Sequence, residues 1–393
     1  MDLALSQEEE AFRLEVREWL EANVPAESRR KVFDYEELTK DELVEWHKIL
    51  AKKGWVAPHW PVEWGGVDWT PAQKFIFEEE TAMAGAPPIA PFGPVMCGSV
   101  LLRFGTEEQK KKYLPRIYHC DDFWVQGYSE PGAGSDLASL KTRADRVGDH
   151  YIINGQKIWT TLGHFGDWIF CLVRTDFDTS KRQEGISFLL VDMKTPGITV
   201  RPLVLLDEGH EVNEVFFEDV KVPVENLVHE ENKGWTVAKY LLGFERLNTG
   251  RIGASKRELQ RLKAFARNKT RGGRPLLEDA RFVDRMTRIE VELMALEVTN
   301  LRFIDEMQRT GQPPGPDVSM LKIKGTEIQQ ALTELLMIAA GPAARSFRAI
   351  EYDGFDTFSA NTAAHYFNYR KTSIYAGSNE IQRNIIAKMA LGL

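Results

Sequence analysis

The sequence predicts a mainly α-helical protein with a central β domain. Three observations carry this: helical periodicity through the first third, short β-branched and aromatic runs from about residue 122, and a return to helical periodicity from about Asn232. The expected division is 1–121, an N-terminal helical domain, 122–232, a middle β domain, and 233–393, a C-terminal helical bundle. At roughly 150 residues per domain, 393 residues accommodate two or three such units and bury a large core.

The first helix is marked by Ser6 with Glu9 three positions later, a capping box ahead of an amphipathic run through Phe12, Val16 and Leu20. Helical stretches follow at about 40–54, 71–85 and 106–118, interrupted by turns such as WPVEWGG (60–66). The runs DWIFCLVRTD (167–176), ISFLLVDM (186–193), ITVRPLVLL (198–206) and EVFFEDVKVP (214–223) read as strands of an antiparallel sandwich or barrel. Long helices are expected near 234–268, 278–309 and 318–340, with GQPPGPD (311–317) too rich in Pro and Gly to continue one. ALTELLMIAAG (331–341) is a buried helix, too short to span a bilayer.

Composition excludes several classes. Fifty basic against 58 acidic residues give a net charge of −8, leaving no cationic excess to neutralise phosphates, so nucleic acid is not an expected partner. Cys97, Cys120 and Cys171 are odd in number and far apart, which implies neither a disulfide framework nor a metal knot and suits a reducing cytoplasm. The N-terminal MDLALSQEEEAFR has the pattern of neither a secretory nor a mitochondrial leader, and no apolar window suggests a membrane span.

Two segments carry chemistry. The glycines of PGAGS (131–135) allow a backbone to approach a flat ligand, and Ser129 and Ser135 add hydroxyls. Downstream lies INGQKIWTTLG (153–163), where Trp159 can cover a ring while Thr160 and Thr161 bond its heteroatoms. Either segment alone reads as a surface turn; their pairing at this spacing points to a ring-binding site.

YSEPGAGSD (128–136) followed by NGQKIWTT resembles the flavin-binding signature of the acyl-CoA dehydrogenase family. WPVEWGG (60–66), GTEEQKKKYLP (105–115), VPVENLV (222–228) and SIYAGSNEIQRNIIA (373–387) extend the likeness over nearly the whole chain. The resemblance implies an N-terminal helical domain, a β-barrel or sandwich and a C-terminal four-helix bundle, with FAD as cofactor and no metal. It places Gln126, Tyr128, Ser129, Gly134, Ser135, Trp159, Thr160 and Thr161 on the flavin. The implied reaction is α,β-dehydrogenation of an acyl-CoA to the trans-2-enoyl-CoA, in which a desolvated carboxylate removes the α-proton and the β-hydrogen leaves as hydride.

In many members that carboxylate lies between Ile-Tyr and Gly near the C-terminus, where this chain has Ala376. A second group carries it earlier, directly before an Arg, and Glu245-Arg246 in LLGFERLNTGRIG (241–253) stands at that place. Glu245 is therefore the expected base, against the plain alternative of a helical Glu paired with Lys239 or Lys256. Arg246 orients Glu245 or substrate, or forms a structural ion pair. Ser135, Tyr375 and the Ala376 backbone are assigned to substrate; Glu380 reads as a helix cap.

Homotetrameric members complete each flavin site across a subunit interface with two motifs. Here NKTRGGRPL (268–276) has Lys269 for the Arg and Gly272 for the Phe, and LLMIAAGPAA (335–344) keeps neither the Gln nor the paired glycines. The chain looks most like the large subunit of pimeloyl-CoA-type heteromeric enzymes. It is expected to pair with a second related subunit (α2β2), failing which a homotetramer uses Lys269 and Arg271. An electron-transfer flavoprotein is the implied acceptor. A non-catalytic partner subunit and a flavin oxidase are the rival readings, and the acyl group stays open among dicarboxylyl, fatty and steroid-side-chain thioesters.

Overall fold

The structure, a computed structural model, describes residues 5–244, 250–346 and 357–393. The chain divides into two compact units: residues 1–38, 69–87 and 245–393 form one, and 39–68 with 88–244 the other.

The first unit is helical: α1 (Gln7–Asn23), α2 (Ala26–Asp34), α4 (Pro71–Met83), α8 (Ile252–Asn268), α9 (Ala280–Thr310), α10 (Ser319–Ala340), α11 (Thr357–Tyr369) and α12 (Asn379–Ile385). Its core is built from Leu259, Leu262, Leu293, Leu321, Leu332 and Leu335, all buried. The expected capping box closes α1, where Ser6 Oγ accepts from Glu9 N at 3.2 Å and Glu9 answers onto Ser6 N at 2.8 Å. Acidic α4 is tied to its neighbours by Arg13–Glu79 at 2.9 Å, Arg17–Glu80 at 2.8 Å and a Lys256–Glu79 ion pair. Gly253 lets α8 press onto α4, because a Cβ there would lie 2.8 Å from Glu79 Cα.

The second unit holds α3 (Lys40–Lys53), α5 (Gly98–Phe104), α6 (Glu107–Tyr118), α7 (Gly234–Phe244) and the main sheet. Its strands are β1 (Trp124–Gly127), β2 (Arg143–Val147), β3 (His150–Thr161), β4 (Trp168–Arg174), β5 (Ile186–Asp192), β6 (Ile198–Leu203), β7 (Val212–Pro223) and β8 (Leu227–Val228). They run in the order β6-β7-β3-β2-β4-β5-β8, with β1 beside β4. The unbroken apolar runs of β4 and β5 follow from their burial on both faces. α6 is joined to the β7–β8 connection by Gln109, whose amide donates to Glu225 and Leu227 carbonyls, both at 2.8 Å.

Two expectations needed revision. The sheet is mixed rather than wholly antiparallel, since both β1 and β2 pair with β4 in parallel. INGQKIWTT is not a turn beside a strand but the body of the 12-residue β3. Its Asn154-Gly155 lies at a break in the β3–β7 register, and Gly155 at φ 150° admits the Thr142 backbone, which a Cβ would approach to 2.7 Å. No helix among the described residues is long and apolar enough to cross a membrane. Cys97, Cys120 and Cys171 are unbridged, and burial raises all three thiols, Cys120 to about 11 and Cys171 to about 12.

Candidate active site

The two segments singled out in the sequence are brought together inside the second unit. Ile158 N donates to Ser129 O at 2.9 Å, fastening β3 to the YSEPGAGSD loop. The loop closes on itself through reciprocal bonds between Glu130 and Ala133, both 3.0 Å.

Beneath it lies Glu130, a buried carboxylate inside the motif. It accepts from Lys157 Nζ at 2.8 Å, Thr142 N at 2.9 Å and Lys141 N at 2.6 Å. Burial alone would raise this carboxyl, but Lys157 and the hydrogen bonds outweigh it and hold it below the usual range. Lys157, with no exposed surface, also donates to Tyr128 O at 3.2 Å. Arg174 secures the chain just beyond the loop, donating to the carbonyls of Ala138, Leu140, Arg182 and Glu184 at 2.8–3.0 Å. Glu130, Lys157 and Arg174 were missed as site residues. The first two stand inside the quoted motifs, and the charge of Lys157 on the inward face of β3, which it shares with Tyr151 and Ile153, was the available signal.

What this frame presents is open and polar. An added Cβ at Gly132 or Gly134 would meet nothing within 4 Å, so packing inside the chain does not demand these glycines. Ser129 is half-buried, and Gly134 and Ser135 are exposed. β3 bulges between Lys157 and Thr160, which turns Trp159 to φ 60° with 55% of its surface exposed. Thr160 Oγ1 is buried and has no hydrogen-bond partner among the described residues. On β1, half-buried Gln126 donates to Met96 Sδ at 3.7 Å. An uncovered ring, an unpartnered hydroxyl and a glycine loop free for close approach fit a flat, heteroatom-rich group such as a flavin.

Tyr375 and Ala376 belong to the first unit, in the turn before α12. Ala376 takes φ 51° and Gly377 φ 77°, and Tyr375 keeps 43% of its surface exposed. The turn is anchored through buried Asn379, whose Oδ1 accepts from Lys322 Nζ at 3.1 Å. The cap of α12 is Ser378, whose Oγ accepts from Ile381 N at 3.4 Å; Glu380, expected as the cap, is instead the second residue of the helix, where hydrogen bonds to its own N–H and to Ser378 hold its carboxyl below the usual range. Glu245 and Arg246 lie outside the described residues.

The segment expected to lack its interface motif forms a hairpin, β9 (Thr270–Arg271) and β10 (Arg274–Pro275), turning on Gly272 at φ 57° and Gly273 at φ 77°. Arg271 is engaged within the chain, donating to Ile338 O at 3.0 Å and lying 3.8 Å from Asp279. Lys269 Nζ sits 5.3 Å from the Phe265 ring centroid.

Family models for the acyl-CoA dehydrogenase N-terminal, middle and C-terminal domains match residues 6–121, 126–220 and 232–391. The chain belongs to the acyl-CoA dehydrogenase family. Acyl-CoA dehydrogenase IpdE1 of Mycobacterium tuberculosis is 38% identical over 98% of both chains, and that of Mycolicibacterium smegmatis 36% over 98% of both. Among solved structures, the ChsE4–ChsE5 complex of Mycobacterium tuberculosis matches at TM-score 0.85 and 31% identity, covering 100% of this chain and 99% of that one. The Tcur3481–Tcur3483 steroid acyl-CoA dehydrogenase matches at 0.87 and 30%, with the same coverage. Like the rest of its family, this acyl-CoA dehydrogenase is a flavoprotein oxidoreductase, and its cofactor is FAD.

Proposed function

We propose that this chain is the catalytic subunit of a heteromeric acyl-CoA dehydrogenase acting on a bulky, steroid-derived acyl-CoA. The observation that carries the catalytic reading is the intact within-chain flavin frame: the loop at 128–136 fastened to the bulge of β3, with the Thr160 hydroxyl left for a ligand. A purely structural subunit has no use for such a frame.

In this reading Glu245 removes the α-proton of the thioester, and Arg246 orients it. The backbone N–H of Ala376, set in its left-handed turn, donates to the thioester carbonyl and acidifies that proton. Tyr375 lines the acyl pocket, and Ser135 meets substrate beside the flavin. Gln126, Tyr128, Ser129, Gly134, Trp159, Thr160 and Thr161 hold the cofactor. Bound FAD supplies the two-electron acceptor that receives the β-hydrogen as hydride.

The steroid-type acyl group is supported by the 30% identity to an enzyme described as a steroid acyl-CoA dehydrogenase. Pairing with a second subunit is supported by the hairpin at 270–275. A Phe at position 272 would have to adopt φ 57°, and Arg271 is already committed within the chain. Likeness to the two-component ChsE4–ChsE5 complex points the same way. An electron-transfer flavoprotein is the proposed oxidant of the reduced enzyme.

The test is to co-express the chain with and without the product of its neighbouring gene and mix each preparation anaerobically with acyl-CoAs. Bleaching of flavin absorbance is expected to vanish in Glu245→Gln and persist in Glu380→Gln. Bleaching that survives Glu245→Gln removes Glu245 as the base; no bound flavin in any preparation favours the partner-subunit reading.

A further inference from the structure

The bulge that presents Thr160 is pinned from behind by three polar side chains. Asn213 stands on β7 directly opposite Thr160 and has no exposed surface. Its Nδ2 donates to Thr160 O at 3.0 Å and to His164 Nδ1 at 3.2 Å, while its Oδ1 accepts from His210 Nε2 at 2.7 Å. This order assigns both tautomers: His164 offers Nδ1 as a lone pair, and His210 carries its proton on Nε2. The two imidazoles stack with centroids 4.0 Å apart. Gly163 leaves room for the arrangement, since a Cβ there would lie 3.1 Å from both Asn213 Nδ2 and Thr160 Cγ2.

A buried amide satisfied at both ends is locked about its side-chain torsions. What it locks is the carbonyl of the very residue whose hydroxyl is buried without a partner among the described residues. Trp159, one residue earlier, is already in the left-handed region at φ 60°, so the local backbone needs external support to keep its shape. Sheet pairing alone does not supply it, because the β3–β7 register breaks between Lys157 and Thr160.

We infer that His164, Asn213 and His210 are positioning residues for the flavin, fixing the Thr160–Thr161 backbone in the orientation from which it meets the ring. None of the three needs to touch the cofactor. The inference rests on the reading that Thr160 and Thr161 bind flavin.

It is tested in the FAD-loaded enzyme with Asn213→Ala, His210→Ala and His164→Leu beside two conservative variants. His210→Gln replaces the Nε2–H donor by an amide N–H, and His164→Asn replaces the Nδ1 acceptor by Oδ1. The readouts are FAD affinity of the deflavinated protein, the position of the bound flavin's visible band, and the thermal midpoint without FAD. The disruptive variants are expected to bind FAD about tenfold more weakly or worse, with a shifted band. The conservative pair should stay within about twofold of the parent with its band. Unchanged affinity and band in Asn213→Ala and His210→Ala overturn the inference. So does a loss that merely follows a lower thermal midpoint while the residual flavin keeps its normal band. Thr160→Val, measured alongside, separates the levels: if it changes affinity and band while the trio variants do not, only the present inference fails; if it changes neither, flavin does not lie on β3.

Discussion

At the scale of single residues, the site is held by charge placed where water cannot reach it. Lys157 answers Glu130 across 27 positions of sequence, and nothing in either motif announces that pairing. Lys157→Met leaves Glu130 a buried carboxylate without its ion-pair partner, and should cost about 3–5 kcal/mol in urea unfolding. Adding Glu130→Gln should recover part of that loss; a double variant as unstable as the single would show that the two do not act as a pair. A second carboxyl behaves oppositely. Burial raises half-buried Glu78 to about 7 from 4.5, with Arg251 opposing the shift. The folded protein therefore keeps a proton that the unfolded chain releases between pH 4.5 and pH 7, so stability falls as pH rises through that window. Glu78→Gln should match the parent at pH 4 and exceed it by about 1–3 kcal/mol at pH 8, a difference that chemical denaturation at the two pH values will measure.

Secondary-structure elements differed in how much of themselves they wrote into the sequence. Helix starts were plain: α3, α4 and α6 open on Thr39, Thr70 and Thr106, each with Glu or Gln at the third helical position. Thr106→Ala, which removes the acceptor of Gln109 N, should lower stability by about 1 kcal/mol by thermal unfolding. β3 was hidden because Asn154-Gly155 imitates a hairpin turn; the real turn is at Gly148, with φ 62°. Glycine is required at 155 by the nearness of Thr142, a long-range fact that no local pattern contains. Ala376 shows the reverse situation, a residue with a Cβ held at φ 51° where glycine would rest more easily. Ala376→Gly should raise the unfolding free energy by up to about 1 kcal/mol, and a clear drop would mean that the methyl group packs usefully.

For the molecule as a whole, the within-chain half of the proposed flavin site could be read because its glycines, serines and threonines fall in two short segments, 128–136 and 153–163. The expected base is legible only as a motif, since Glu245 lies outside the described residues. The proposed cross-subunit half could be read only as departures at 268–276 and 335–344, and at the first of these Gly272 and Gly273 take φ 57° and 77°. Purified alone, the chain should hold well under one FAD per polypeptide; with its proposed partner, flavin content and particle mass should rise together in light scattering coupled to absorbance. Full flavin loading of the isolated chain would speak for the homotetramer instead.

The two buried thiols, Cys97 and Cys171, and half-buried Cys120 have a practical corollary. With Cys120 and Cys171 raised to about 11 and 12, and Cys97 also well above its ordinary value, scarcely any sulfur is in the nucleophilic form at pH 8. The folded native protein is thus a nearly silent background for maleimide chemistry. A single cysteine introduced on an exposed face, at Val291 or Met294 of α9 for example, would carry a fluorophore or spin label without first removing the native ones.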